Sequence, residues 1–393
     1  MSLCKRTLID KAYIHATKIL NISPDEPDFA DTIYTLCMPF AITVLTKTCV
    51  EARLADIRRH QALLTKLREI PVIEQRTPIW YETRQTLITA SDMAQALGVG
   101  KFGSQKDLIV KKCGFKPDTF NANLPPLVWG VKYEPVANEI YKSLNNVEVH
   151  EFGLLKHPEV PFFGASPDGI NDLGVMVEIK CPFRSKLNGE ILEQYYIQMQ
   201  GQLDVCDLDD CDFVQCGFVE YNSIELFDED SHEEYPIYSK DKCKKGVFME
   251  YLLADAASSS YSYGLMDASV DSVKAWVETE SERLKSIGVV SMSPTYWKLV
   301  GFNCRRVTRD KEFITSKYTE LKQIWDRILV YRSDKDLYDR EIEPPTVASS
   351  KIINVRTRRS ASETFNIATS TLAPQAQTLT AYSFVRRDDD FAE

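Results

Sequence analysis

Through residues 1–75, apolar side chains recur every three or four positions, first up to Leu20 and then from Ala30 to Leu67. That spacing predicts two helical segments, with Ser23-Pro24-Asp25-Glu26 breaking them and offering a cap. The polar faces mix Lys, Arg, Asp and Glu, as expected of a solvated bundle, with a DNA-guiding or protein-docking role left open. Thr89 or Ser91 can cap a helix through Leu97, which Gly98 closes. A further helix is expected from about Gly130 to Leu144, followed by a strand over Val147 to Leu155.

The pattern changes to period two between Phe162 and Pro182. An apolar approach, Phe162-Phe163-Gly164-Ala165, leads to Ser166-Pro167-Asp168-Gly169 and a polar turn. Val175-Met176-Val177-Glu178-Ile179-Lys180 then runs to Cys181-Pro182. Gly, Asn and Asp at the reversal and β-branched residues after it predict a β-hairpin. From Leu187 to Leu208 the period is helical again. Strands are expected over Phe213–Tyr221, Gly246–Leu252 and Trp297–Val307, and helices from Val270 to Ile287 and through Tyr331. Asp228 to Glu234 reads as an acidic loop, and Ser258 to Ser262 as a loop. Beyond Pro344-Pro345 the apolar periodicity ends, and the segment reads as a disordered tail.

Alternation puts Glu178 and Lys180 on one side of their strand and Ile179 on the other, with Asp168 at the end of the partner strand. Two carboxylates meeting at open space suit Mg²⁺, or Mn²⁺, which prefer hard oxygen ligands and keep water in their other positions. A lysine beside them can orient or deprotonate an attacking water. For the Glu-x-Lys pair alone, a solvated hairpin face is the simpler account. The pieces flanking the hairpin favour the chemical one.

The chain has 393 residues, 44% of them hydrophobic and 26% charged, which suits one large domain with extensions or two domains. A formal net charge of −10 excludes a bulk polycation, so any nucleic-acid surface must be concentrated in a groove. There is no signal-peptide pattern at the start, and the apolar run Met38–Leu45 is too short for a membrane span, so an intracellular chain is expected. The ten cysteines form no paired CxxC pattern and are expected to be reduced and packed, including the evenly spaced Cys206, Cys211 and Cys216.

Asp168-(x9)-Glu178-Ile179-Lys180 resembles the PD-(D/E)xK nuclease core, and the words Ser-Pro-Asp-Gly and Glu-Ile-Lys-Cys-Pro resemble its lambda exonuclease and YqaJ-like viral recombinase branch. Three further motifs fall in that family's order. Arg84-(x6)-Ser91 follows Trp80, Gly130-(x2)-Tyr133-Glu134 comes next, and Tyr-Tyr-Ile-Gln-Met-Gln follows the hairpin. A closing strand and helix with a late Trp325 is also similar to large-virus members. The resemblance covers residues 76–335, leaving 1–75 as a helical extension and 336–393 as a tail.

The resemblance implies an α/β fold, with a mixed sheet flanked by helices on both faces. It implies a Mg²⁺-dependent 5′→3′ exonuclease acting on double-stranded DNA ends in viral or phage recombination, repair or replication processing. The cellular site would be host cytoplasm or nucleus. Asp168 and Glu178 would bind metal, with the Ile179 carbonyl as an extra ligand and Glu134 as a third acidic one. Lys180 would position water. Gln200, or Gln198, would reach the site from its helix; Gln198 and Gln202 share a face, with Gln200 about 200° from Gln198. Arg84, Ser91 and Ser166 would hold the 5′-phosphate, and Lys101, Lys106, Lys111, Lys112 and Lys116 could track further phosphates. Family members often form a ring-shaped homotrimer and work with a single-strand annealing protein. Gln377 to Phe384 loosely resembles a sliding-clamp binding peptide. The rival readings are a RecB-like or structure-specific endonuclease on the same core, and a non-catalytic DNA-end-binding scaffold.

Overall fold

The computed structural model describes residues 3–41, 44–116, 123–184, 187–254, 256 and 258–342. The expected clamp-binding peptide and nearly all of the expected tail therefore lie outside the described residues. In chain order the helices are α1 (Leu3–Ile14), α2 (Phe29–Cys37), α3 (Lys47–Arg68), α4 (Pro78–Gln85), α5 (Met93–Ala96), α6 (Gln105–Cys113), α7 (Pro125–Asn145), α8 (Glu193–Val205), α9 (Ile224–Glu229), α10 (Val270–Ser286), α11 (Lys311–Ser333) and α12 (Lys335–Glu341). The strands are β1 (Ile88–Thr89), β2 (Val149–His150), β3 (Leu155–Lys156), β4 (Phe163–Ala165), β5 (Gly169–Asn171), β6 (Met176–Lys180), β7 (Asp210–Tyr221), β8 (Lys245–Leu253), β9 (Ser260–Met266) and β10 (Val289–Thr308). Among the described residues, no helix is long and apolar enough to cross a membrane.

A seven-stranded sheet has the order β2-β5-β6-β7-β10-β8-β9, and a three-stranded sheet the order β1-β4-β3. In the larger sheet only β6 and β7 pair in parallel. Parallel neighbours need a crossover, and α8 is that crossover. Val177 and Ile179 of β6, Cys181 just after it, and Val214, Cys216 and Phe218 of β7 share one core with α7 and the N-terminal helices, whose Ile9, Ile33, Val50, Leu54 and Ile57 pack into it. The opposite face of β6 and β7 lies under α8, where Tyr195 meets Phe213 at 5.7 Å between ring centres. Helices thus cover both faces of a mixed sheet.

The expected hairpin is shorter than the sequence reading. Its strands are β5 and β6, and Phe163–Ala165 joins the other sheet, parallel to β1. The expected strand Val147–Leu155 divides between the two sheets as β2 and β3. The serine-rich loop runs into β9, and α7 starts at Pro125, because proline fits the first turn of a helix. Asn171 holds the hairpin turn: its Oδ1 accepts from the Leu173 and Val175 N–H groups, both at 3.0 Å. Gly174 adopts φ +74°, where a Cβ would lie 2.2 Å from the Cβ of His60 on α3. Only glycine fits there.

The N-terminal helices are joined to the sheet by charge as well as by apolar contact. Arg53 of α3 binds Asp10 of α1 through two bonds of 2.8 and 3.0 Å and approaches Asp210 of β7 at 3.1 Å. Arg6 reaches Asp210 at 3.0 Å, and Arg306 of β10 bridges Asp10 and Asp212. Tyr141 donates to Asp212 and accepts from Asn171, which extends the network to the hairpin turn. Arg53 and Asp10 are buried, so these polar positions do not form the solvated face expected of them.

Residues 3–328 lie within one compact unit, and a second begins at Leu329. In its described part the Tyr331 hydroxyl donates to Glu341 at 2.7 Å, and the Asp334 side chain caps α12 by accepting from the Leu337 N–H.

On the side of α8 away from the hairpin, Asp204 accepts from His157 at 3.1 Å, from the Tyr318 hydroxyl and from Arg309. Burial alone would raise its carboxyl; the three donors outweigh burial and hold it at about 2, below the ordinary 3.8. A depressed folded value gives stability that is present above the ordinary pKa and lost as pH falls toward the folded one. Asp204→Asn is expected to cost about 2 kcal/mol at pH 7, with the deficit narrowing below about pH 4. Urea melts across that range check it.

Candidate active site

Asp168 stands immediately before β5, and Glu178 and Lys180 point to the α8 side of β6. The Asp168 Oδ2 accepts from the Ile179 N–H at 2.7 Å, so the hairpin backbone fixes the carboxylate. Glu178 is fully buried, and three side chains donate to it. Its Oε1 accepts from Lys180 and, at 2.7 Å, from Gln198; its Oε2 accepts from Gln202 at 2.8 Å. The ring of Tyr195 lies 5.3 Å from the Lys180 ammonium.

Burial would lower the Lys180 pKa. The Glu178 and Asp168 charges outweigh it and hold the ammonium well above the ordinary lysine range. Asp168 goes the opposite way for a carboxylate, raised by burial first, then by Glu178 and Glu134. Glu134 is raised too, again by burial first, although Arg76 donates to its Oε2 at 2.9 Å. Glu134 lies beside Pro135, well past the first turn of α7 and not at the start of a helix.

Among the described residues, no three His, Cys, Asp or Glu side chains gather closely enough to hold a metal ion. Glu134 stays with Arg76 and joins Asp168 and Glu178 through their shared field alone. The remaining donor set is two carboxylates, with the Ile179 backbone between them. That set fits a small hard cation, which needs few protein oxygens and keeps its waters. Burial and the neighbouring Glu178 and Glu134 charges raise Asp168 more than Lys180 and the Ile179 N–H lower it, and a cation there would offset that.

The expected phosphate residues form one chain of contacts. Arg84 donates to the Ser91 Oγ at 3.0 Å, and its guanidinium lies 4.4 Å from the Trp80 ring centre. The Trp80 indole donates to the Ser166 Oγ at 3.1 Å, two residues before Asp168. The Thr89 cap turns the backbone so that buried Asp92 faces Arg84, Lys111 and Lys112 at 4.0, 3.7 and 2.8 Å. Burial would raise Asp92, but those three cations outweigh it and hold the carboxyl far below the usual range. Lys101, Lys106, Lys111 and Lys116 are exposed. Lys112 is buried against Asp92 and the Arg84 carbonyl, which removes it from the surface row.

Gln200 is not at the site. Its amide donates to the Thr308 carbonyl at 3.0 Å and accepts from the Asp310 N–H at 2.6 Å, tying α8 to the start of α11. Gln198 and Gln202, one helical turn apart, are the pair that reaches Glu178. The signal was the shared face of those two residues. Arg76 and Asp92 carried no comparable signal, because neither repeats a periodic position.

Residues 79–209 match the family model described as the YqaJ-like viral recombinase domain. One relative is "Uncharacterized protein R354" of Acanthamoeba polyphaga mimivirus, 30% identical over 330 residues, covering 72% of this chain and 58% of that protein. Another is a protein of African swine fever virus, 26% identical over 162 residues, covering 33% of this chain and 46% of that protein. The chain thus spans less than two thirds of the length of the curated relatives it matches. Among solved structures, an alkaline exonuclease (LHK-Exo) from Laribacter hongkongensis aligns at 19% identity with a TM-score of 0.41, covering 68% of this chain and 100% of that one.

Proposed function

We propose that this chain, which carries the YqaJ-like viral recombinase domain over residues 79–209, is a divalent-metal-dependent nuclease that degrades double-stranded DNA from 5′ ends during viral recombination or replication. The observation that carries the reading is the convergence of Asp168, Glu178 and Lys180 beside the Trp80–Ser166 contact. Asp168, Glu178 and the Ile179 carbonyl would hold Mg²⁺ or Mn²⁺, which supplies Lewis acidity and an acidified water. Gln198 and Gln202 hold the Glu178 carboxylate without adding charge. Lys180 would orient the attacking water, or take its proton, and offset charge on the phosphate.

Arg84, Ser91 and Ser166 form the terminal-phosphate pocket in this reading. A phosphate held next to Asp168 fixes which linkage lies at the carboxylates, which is catalysis by positioning. Digestion of linear and closed circular duplex with Mg²⁺, with and without a chelator, tests the reading. An exonuclease degrades only the linear form, an endonuclease cuts both, and a DNA-end scaffold cuts neither. Linear duplex with a 5′-phosphate is expected to be cut faster than 5′-hydroxyl duplex. Arg84→Ala should lose most of that preference, about 2 kcal/mol for a charge-assisted pair. Equal wild-type rates on the two ends would remove the pocket and the polarity argument together.

A further inference from the structure

Glu178 is crowded. A carboxylate offers about four acceptor sites, and Lys180, Gln198 and Gln202 already use three of them. Lys180 occupies the Oε1 as a cation, so a metal ion approaching that carboxylate meets charge repulsion as well as bulk. If Glu178 ligates a metal, the Lys180 ammonium needs another acceptor.

The sheet supplies one beside it. Lys180 pairs with Gln215 across the parallel β6–β7 ladder, and Gln215 pairs with Asn303 across the antiparallel β7–β10 ladder. Paired residues point to the same face, so the three side chains form a row on the α8 side, with neighbouring strands about 5 Å apart. The Gln215 Oε1 and the Asn303 Oδ1 are both buried, and neither has a hydrogen-bond donor. Buried acceptors without donors are rare and call for a reason. Gly189 closes the far end of the row: a Cβ there would lie 2.7 Å from the Asn303 amide nitrogen.

We propose that Gln215 is the second acceptor for Lys180: the ammonium leaves Glu178 for the Gln215 Oε1 when a divalent cation takes the Glu178 carboxylate. This rests on the reading of Asp168 and Glu178 as the metal-holding pair. Gln215 is then a positioning residue that acts through Lys180. It keeps the ammonium near the reacting phosphate while clearing the carboxylate.

Mn²⁺ binding to the full chain without DNA, followed by the electron paramagnetic resonance of the free ion, tests this. Gln215→Met removes the acceptor at nearly constant volume and is expected to weaken Mn²⁺ binding about tenfold. In a Lys180→Met background the same change should have no effect, because there is no ammonium to accommodate. Gln215→Glu keeps an acceptor at the same reach and should bind at least as tightly as wild type. Wild-type affinity in Gln215→Met, an equal loss in both backgrounds, or a Met-like loss in Gln215→Glu would each overturn the proposal. A folded wild-type chain that binds no Mn²⁺ would overturn the metal-pair reading itself, and the proposal with it.

Discussion

Lys180→Ala is expected to slow degradation of linear duplex by about 10²–10⁴-fold, the range for a positioned proton-transfer or water-orienting group. Folding and DNA affinity should be nearly unchanged. The reason is local. Lys180 sits at the rim of the site, with 27% of its side chain exposed, and contributes nothing to the apolar face of β6. Glu178 keeps two donors, Gln198 and Gln202, after the lysine is gone, so its burial remains compensated. Single-turnover digestion at saturating Mg²⁺, with DNA binding measured in Ca²⁺, separates the chemistry from the affinity. A variant that cuts within about threefold of wild type would take Lys180 out of the reaction.

The second large effect is on stability. Arg53→Ala should lower the unfolding free energy by about 3–5 kcal/mol, the usual cost of removing one partner from a buried charge cluster. Arg53 has no solvent exposure, and its loss leaves Asp10 short of one bidentate partner and Asp210 with Arg6 alone. The Asp10 carboxyl, which burial would raise, is at present lowered by Arg306 and Arg53. Urea unfolding of the full chain measures the cost. A loss under about 1 kcal/mol would mean that water enters the cluster and that the N-terminal helices are held by apolar packing alone.

The hairpin was legible because alternation is a local signal. Glu178, Lys180 and Asp168 lie close together in the chain, and the pleat alone sets which side each faces. The glutamines show where local signals stop. Helical geometry placed Gln198 and Gln202 on one face and Gln200 on the other, but the identity of the catalytic face depends on where β6 passes under α8. The resemblance of Tyr-Tyr-Ile-Gln-Met-Gln to the family's motif pointed at Gln200, with Gln198 second. The parallel β6–β7 pairing, which forces α8 across that face, points at the other two. The charge network joining α1, α3, β7 and β10 was unreadable for a related reason. Arg306 and Asp10 are 296 positions apart, and a lone charge on a helix resembles a solvated one until its distant partners are known. β9 was missed because Ser258–Ser260 carries turn-like composition into a strand whose order comes from pairing with β8.

The buried pairing of Arg53 with Asp210 also constrains how this chain can diverge. A lineage that shed the first 75 residues in one event would leave the Asp210 carboxylate without either of its arginines. The route is open only if Asp210 first becomes a neutral residue while Arg53 and Arg6 are still present, and in that intermediate Arg53 keeps Asp10 while Arg6 loses its carboxylate. Ancestry is therefore expected to keep Asp210 of β7 and the arginines of the N-terminal helices as a single inherited unit. A change at any one of them would be tolerated only alongside a compensating change across the interface.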